Sequence, residues 1–241
     1  MPKQNKPDVV YILRKDIEAE ELRYSLRSLK NLPHGKVWFV GGQPKGLRPD
    51  RSLKHEQSGE TKWDHIRSSM LRVIKEADLS ETFYLFNDDF FIMKPVRGEF
   101  INYAENTLTW RINELREVYP WLNHYGRSLV KAREELKTLG CPEINFEVHI
   151  PMLFEKSIVA QSILKCSSPQ MRSVYGNVNQ IPYRDRKDVK IYDLETVPED
   201  ADFISTNDET FKSGKVGEYI RSRFPHPCKY EVGEEIVRTE K

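Results

Sequence analysis

Apolar positions along this chain follow two periods, and the points where one gives way to the other mark its elements. "DVVYIL", Asp8 to Leu13, is a β-branched and aromatic run that predicts a buried strand. Helical spacing follows in "EAEELRYSLRSLKNL", where Leu22, Leu26 and Leu29 recur at four and three residues and form one core-facing stripe. Pro33 and Gly35 end that helix, and "KVWFVGG" reads as a second strand running into a glycine turn. A polar loop is predicted from Gln43 to Glu60. A helix follows from Lys62 to Asp78, with Ile66, Met70, Val73, Ile74 and Ala77 on one face. "FYLFNDDFF", Phe83 to Phe91, is the third strand. The order strand, helix, strand, helix, strand predicts an α/β fold with a central, mostly parallel sheet flanked by helices.

After Pro95 the pattern changes. "AENTLTWRINELREVY" and "RSLVKAREELKTL" predict two helices broken by Pro120 and Gly126, a helical insertion or lid. Mixed character returns with "INFEVHIPM" as strand, "KSIVAQSIL" as helix, a loop around "SSPQMRSVYGN", the strands "VKIYDL" and "DFIST", and a last helix "KVGEYIRSRF". The chain reads as one domain over 1–241, in three stretches: residues 1–97, the insertion 98–140 and residues 141–241.

Composition narrows the class without naming it. In 241 residues, 38% are apolar and 31% charged, and the 38 basic and 37 acidic side chains nearly cancel to +1. Net charge therefore favours neither a nucleic-acid partner nor its absence. No apolar run approaches the ~20 residues that span a bilayer, and "MPKQNKPD" lacks the apolar core of a signal peptide, so the expected location is the cytoplasm. Cys141, Cys166 and Cys228 are widely spaced, with no CxxC pair to suggest zinc or a redox dithiol.

Chemistry concentrates where apolar strands end. Ligands of an open α/β sheet bind beyond the carboxyl ends of its strands, which is where Asn87, Asp88 and Asp89 fall. Two adjacent carboxylates would repel a phosphate-bearing ligand unless a cation lay between them, and oxygen ligands of this kind suit Mg²⁺ or Mn²⁺. Asn and Asp are also ordinary turn residues. The bracket of Phe86, Phe90 and Phe91 argues instead for a walled site. "DFISTNDETF" repeats the motif with Asn207 and Asp208, where a helix cap by Asp208 is the structural alternative. His149, in "FEVHIPM", is a proton-transfer or phosphate-binding candidate. Arg172 and the helical pair Arg23 and Arg27 carry guanidinium groups able to grip phosphate oxygens.

In order along the chain, these pieces resemble the Stealth family of sugar-phosphate transferases, which includes bacterial capsular polysaccharide phosphotransferases and N-acetylglucosamine-1-phosphotransferase. "DVVYIL" is similar to the family's short first region. "EELRYSLRSL" with "KWDHIRSSMLRVIKEADLSETFYLFNDDFFIMKPV" is similar to the second, "FEVHIPMLFEKSIV" to the third, and "DFISTNDETF" with "GEYIRSRFPHPCKYE" to the fourth. The resemblance implies a GT-A-like nucleotide-diphospho-sugar transferase fold, a single catalytic domain over 1–241 with a nucleotide-sugar-binding half in 1–97, the helical insertion in 98–140 and an acceptor-side half in 141–241. The implied reaction moves a sugar 1-phosphate from a nucleotide diphosphate sugar, expected to be a UDP-sugar, to an acceptor hydroxyl with release of a nucleoside monophosphate. On this reading Asp88 and Asp89 hold a divalent metal, and Asp88, Asp89, His149 and Asp208 are the catalytic candidates. Asn87, Arg23, Arg27, Arg172, Asn207 and Tyr11 are the substrate-binding ones. The acceptor is a glycan or another hydroxyl-bearing molecule, with nucleic acid kept open. Two alternatives stand beside it: a glycosyltransferase that releases UDP, and a non-catalytic nucleotide-sugar-binding or assembly protein.

Overall fold

In the computed structural model, which describes residues 6–15, 19–56 and 62–232, Asp8–Leu13 becomes the middle strand of a five-stranded sheet. The elements run β1 (Asp8–Leu13), α1 (Ala19–Ser28), a 3-10 turn (Leu29–Asn31), β2 (Val37–Gly41), β3 (Arg51–Leu53), α2 (Lys62–Val73), β4 (Thr82–Phe86) and β5 (Phe90–Ile92). They continue with β6 (Asn102–Ala104), α3 (Leu108–Val118), α4 (His124–Thr138), β7 (Met152–Glu155), α5 (Lys156–Lys165) and α6 (Met171–Val178). The last are β8 (Tyr183–Asp185), β9 (Phe203–Ser205), α7 (Asp208–Ser213) and α8 (Lys215–Arg223).

The main sheet has the order β3-β2-β1-β4-β7. β1 pairs in parallel with β2 and β4, β2 with β3 likewise, and β7 closes the edge antiparallel to β4. Both faces are covered, which is why the strands read as continuous apolar runs. Val9, Tyr11 and Leu13 pack with Leu22, Leu26 and Phe39 on one side. Val10, Trp38, Val40, Met70, Val73 and Phe154 pack on the other. Asp8, buried at the start of β1, accepts from the Lys36 amide at 2.7 Å and Trp38 Nε1 at 3.0 Å, fixing the end of the sheet remote from the carboxyl ends.

Topology then places a crevice. The chain proceeds from β1 to β2 to β3 in one direction, and next crosses to β4 on the opposite side of β1. The carboxyl ends of β1 and β4 therefore flank a topological switch point, where the chain leaves β1 toward α1 and leaves β4 through the turn into β5. Tyr11 and Phe86 are the last paired residues there, so Asn87 begins a segment free of the ladder.

Several expectations change. The segment predicted as a polar loop contains β3, too short at three residues to carry an alternating signal. "INFEVHIPM" is irregular around His149, and the strand starts only at Met152. "VKIYDL" contributes a single bridge, Lys190 to Ser205, because its backbone otherwise turns around Asp188. "SSPQMRSVYGN" holds a helix, α6, whose Gly176 packs so tightly on Phe146 that a Cβ would lie 2.5 Å from the ring. The insertion does contain two helices, α3 and α4. It also contains β6, parallel to β8. Gly126 does not break α4 but lies in its first turn over Leu122.

Candidate functional site

A cleft of about 770 Å³ opens at the switch point. Ile12 and Arg14 line it from the end of β1, and Leu85, Phe86, Asn87, Asp88 and Asp89 from the end of β4. The sequence-predicted Asn87, Asp88, Asp89, His149, Arg172, Asn207 and Asp208 all reach this one cavity.

Asn87 to Phe90 form a tight turn between β4 and β5, closed by the Phe90 amide donating to the Asn87 carbonyl at 3.4 Å. The turn holds the two acids in different surroundings. Asp89 is buried at 8% exposure; its Oδ2 accepts from Lys190 Nζ at 2.7 Å and from the Ser205 hydroxyl at 3.1 Å. Its Oδ1 is buried with no partner among the described residues. Burial opposes the Lys190 charge, but Asp89 outweighs it and lifts the ammonium above the ordinary lysine value. Asp88 has no such cation against it. Burial, and then the neighbouring Asp89 charge, push it up to about 6.

Arg172 lies in the first turn of α6 and not in a loop. Its Nη2 donates to Asn87 Oδ1 at 3.0 Å, Glu147 stands 3.9 Å from Nη1, and the guanidinium lies over the Phe90 ring at 5.4 Å. Burial lowers its pKa, yet a guanidinium keeps its charge throughout the physiological range.

His149 donates through Nδ1 to both oxygens of Asp188 at 2.8 Å, and its backbone amide donates to the same carboxylate at 3.1 Å. Burial alone would raise the Asp188 carboxyl, but the bonds from His149 hold it below the usual carboxylate range. An ionised Asp188 can only accept, so Nδ1 carries the proton it donates and Nε2 is the ring nitrogen left for a ligand. Asp188 carried no sequence signal beyond being one of many loop acids.

Asn207 lines the cleft, but its side-chain oxygen accepts from the Thr210 amide at 2.8 Å as the N-cap of α7. The cap anticipated for Asp208 thus belongs to its neighbour. Asp208 is the first helical residue and is exposed toward the cleft.

Three expected substrate-binding residues lie elsewhere. Tyr11 is fully buried, its hydroxyl 2.9 Å from the Ser25 hydroxyl, because its strand position faces α1. Arg27 is locked to Glu231 by two bonds of 2.7 Å and donates to the Phe224 carbonyl at 2.9 Å. Arg23 is 3.6 Å from the same Glu231. Both arginines occupy the helix side turned to the C-terminal segment, away from the crevice.

The same helix supplies an acid that sequence reasoning passed over. Glu21 lines the cleft and accepts from the Thr206 hydroxyl at 2.9 Å. Burial first, then the charges of Asp89, Asp88 and Asp208, push it up to about 8. A signal existed: Glu21, Ser25 and Ser28 recur at four and three residues, a polar stripe beside the leucine one. Ser25 donates to the Phe90 carbonyl at 2.6 Å, and Ser28 accepts from the Ile92 amide at 3.1 Å, so the stripe faces β5. From the insertion, Arg111 and Tyr125 also reach the cleft, as do His65, Lys190 and Tyr192. In all, Glu21, Asp88, Asp89, Glu147 and Asp208 set five carboxylates against the four permanent cations Arg14, Arg111, Arg172 and Lys190.

Comparison with known proteins adds little. No family model matches the sequence. No curated protein matches it either. Among solved structures, the crystal structure of the glycosyltransferase GlyE in Streptococcus pneumoniae TIGR4 is similar at a TM-score of 0.31 and 10% identity. The match covers 53% of this chain and 43% of that one, so this chain spans less than half of that protein. So slight a likeness carries no argument about this chain. No helix among the described residues is long and apolar enough to cross a membrane.

Proposed function

We propose that the cleft binds a nucleotide diphosphate sugar, UDP-linked, and transfers its sugar 1-phosphate to an acceptor hydroxyl, with release of a nucleoside monophosphate. The observation that carries this reading is the Asp88–Asp89 turn at the β1/β4 switch point, faced by Arg172, Lys190 and the His149–Asp188 pair. The Stealth-like stretches support it, since "LFNDDFF", "EVHIPM" and "FISTND" all contribute to that cavity.

The acceptor oxygen forms a bond to the phosphorus nearest the sugar while the bond from that phosphorus to the bridging oxygen breaks. The leaving nucleoside monophosphate takes the electron pair, and His149 Nε2 takes the acceptor proton. Phosphoryl transfer depends mainly on positioning and on neutralising the developing charge. Arg172 and Lys190 supply fixed positive charge inside the cleft.

A divalent cation fits this site only as a shared one. Among the described residues no group of three or more His, Cys, Asp or Glu could hold an ion alone. Mg²⁺ commonly takes one or two carboxylates and completes its shell with phosphate oxygens and water. Asp88 and the unpartnered Oδ1 of Asp89 are the carboxylate donors. When bound, the cation would neutralise diphosphate charge that the ionised carboxylates of the turn otherwise repel.

The test incubates the protein with a panel of sugar nucleotides and acceptors, with and without Mg²⁺ or Mn²⁺, and identifies the released nucleotide. UMP is expected; UDP would replace this reading by glycosyl transfer, and binding without turnover by a non-catalytic role. Asp88→Asn is expected to lower turnover by at least about 10²-fold, the scale of a lost charge-stabilising group, with an unchanged melting temperature or a higher one. Full activity in both Asp88→Asn and Asp89→Asn would sink the proposal.

A further inference from the structure

We propose that Glu105, where the chain leaves β6 for α3, is a positioning residue for His149 and acts on it through Asp188. This rests on the transfer reading for what His149 does, and it names the support that aims the ring.

Two loops bring His149 and Asp188 together, and one short segment holds both. The Ala104–Glu105 peptide is bonded on its two opposite sides, as a trans unit allows. Its carbonyl accepts from the Arg186 amide at 2.9 Å, just before Asp188, and its amide donates to the Asn145 carbonyl at 2.9 Å, on the approach to His149. The next carbonyl, of Asn106, accepts from the Asn145 amide at 3.1 Å. Asn106 stands at φ 52°, a left-handed conformation that Asn tolerates, and its Oδ1 accepts from the Thr107 amide at 2.9 Å. Thr107 in turn caps α3, accepting from the Trp110 amide at 3.1 Å. The helical insertion thus starts at the residues that tie the two loops together.

Glu105 adds a side-chain bond to this backbone clamp. Its Oε2 accepts from the Asp188 amide at 3.1 Å, so the carboxylate that meets His149 extends from backbone that Glu105 pins. That support matters because Asp188 Oδ1 accepts from His149 Nδ1 at 2.8 Å, the His149 amide at 3.1 Å and the Lys190 amide at 3.2 Å. Hydrogen bonds weaken steeply as they lose alignment, so a shift of the Asp188 backbone disturbs all three. His149 lines the cleft, whereas Glu105 and Asp188 stand behind it. The bond from Asp188 needs an acceptor oxygen but no charge, so a glutamine carbonyl can replace the carboxylate.

The experiment compares wild type with Glu105→Met, which fills this half-buried position without an oxygen, and with Glu105→Gln, which keeps the oxygen. Long-range ¹H–¹⁵N correlation on the ligand-free protein reads which nitrogen of the His149 ring carries the proton, the ring being assigned by its loss in His149→Gln. Steady-state release of nucleoside monophosphate from a sugar nucleotide is read alongside. The wild-type ring is expected to be protonated on Nδ1. Glu105→Met is expected to mix the two ring forms and to lower kcat about tenfold with KM within about twofold, and Glu105→Gln to restore both. Three results overturn the proposal: a wild-type ring protonated on Nε2 alone, a wild-type ring in Glu105→Met, or a Glu105→Gln variant as impaired as Glu105→Met. The two ideas fail separately. A ring disturbed in Glu105→Met and restored in Glu105→Gln, in a protein that releases no nucleotide, keeps Glu105 as the support and removes the transfer reading. Monophosphate release at the wild-type rate in Glu105→Met does the reverse.

Discussion

Replacing Lys190 by Met isolates the charge balance on which the cleft depends. The substitution keeps a long side chain but removes the ammonium 2.7 Å from Asp89 Oδ2. Asp89 then retains one hydrogen bond, from Ser205 at 3.1 Å, while Oδ1 has no partner among the described residues. The two side chains are only 16% and 11% exposed. Breaking a fully buried pair costs about 3–5 kcal/mol, and an exposed one under about 1, so a loss of about 3 kcal/mol is expected here. For a domain of this size about 1 kcal/mol moves the melting temperature by about 2–4 °C, giving a fall of roughly 6–12 °C. Adding Asp89→Asn removes the stranded charge, and the double variant should recover most of the loss, a coupling of about 2 kcal/mol. Thermal unfolding of wild type, both single variants and the double variant at pH 7 closes the cycle. A double variant as unstable as the sum of the singles would refute the coupling, as would a Lys190→Met melting temperature within about 2 °C of wild type.

Two further outcomes are expected. Glu21 is raised to about 8 in the folded protein from an ordinary value of 4.5, so the folded state holds the extra proton and stability falls as pH rises from 4.5 through 8. Glu21→Gln should therefore melt higher than wild type at pH 8.5 and equal to it near pH 4.5. A constant difference across that window would mean that Glu21 titrates normally. Arg27→Ala removes two bonds to a largely buried Glu231 and should cost about 2 kcal/mol of stability. Its affinity for a sugar nucleotide should stay within about twofold of wild type, measured by calorimetry; a tenfold loss would return Arg27 to the binding site.

What the sequence made legible follows from the range of each interaction. β1, β2, β4, α1 and α2 announce themselves because burial of whole faces repeats along many residues. The three-residue strands β3, β6 and β8 do not, since they are set by pairing with distant partners. The site divides the same way. Asn87, Asp88 and Asp89 were readable because they interrupt an apolar strand. Asp188 was not, as its role arises only when a loop 39 residues away brings it to His149. Arg23 and Arg27 misled because spacing shows that two side chains share a helix face but not which neighbour that face meets. Glu231 met it first.

The structure also makes Asp88 and Asp89 inequivalent, which adjacency in sequence had hidden. Asp89 already faces an ammonium and a hydroxyl, so its charge is largely spent on holding Lys190 and the β5–β9 pairing in place. Asp88 feels burial and the negative charges of Asp89 and Asp208, which outweigh a backbone hydrogen bond and the cation of Arg14, and is raised to about 6 as a result. A group so poised responds to whatever enters the cleft. A cation beside it would lower its pKa and fix its charge, whereas a bare diphosphate would raise it further and favour the neutral acid. The protonation of Asp88 is therefore linked to ligand binding. Proton uptake or release on binding, read by calorimetry in buffers of different ionisation enthalpy near pH 6, should shrink in Asp88→Asn relative to wild type; an unchanged value would assign the linkage to another group of the cleft, Glu21 first.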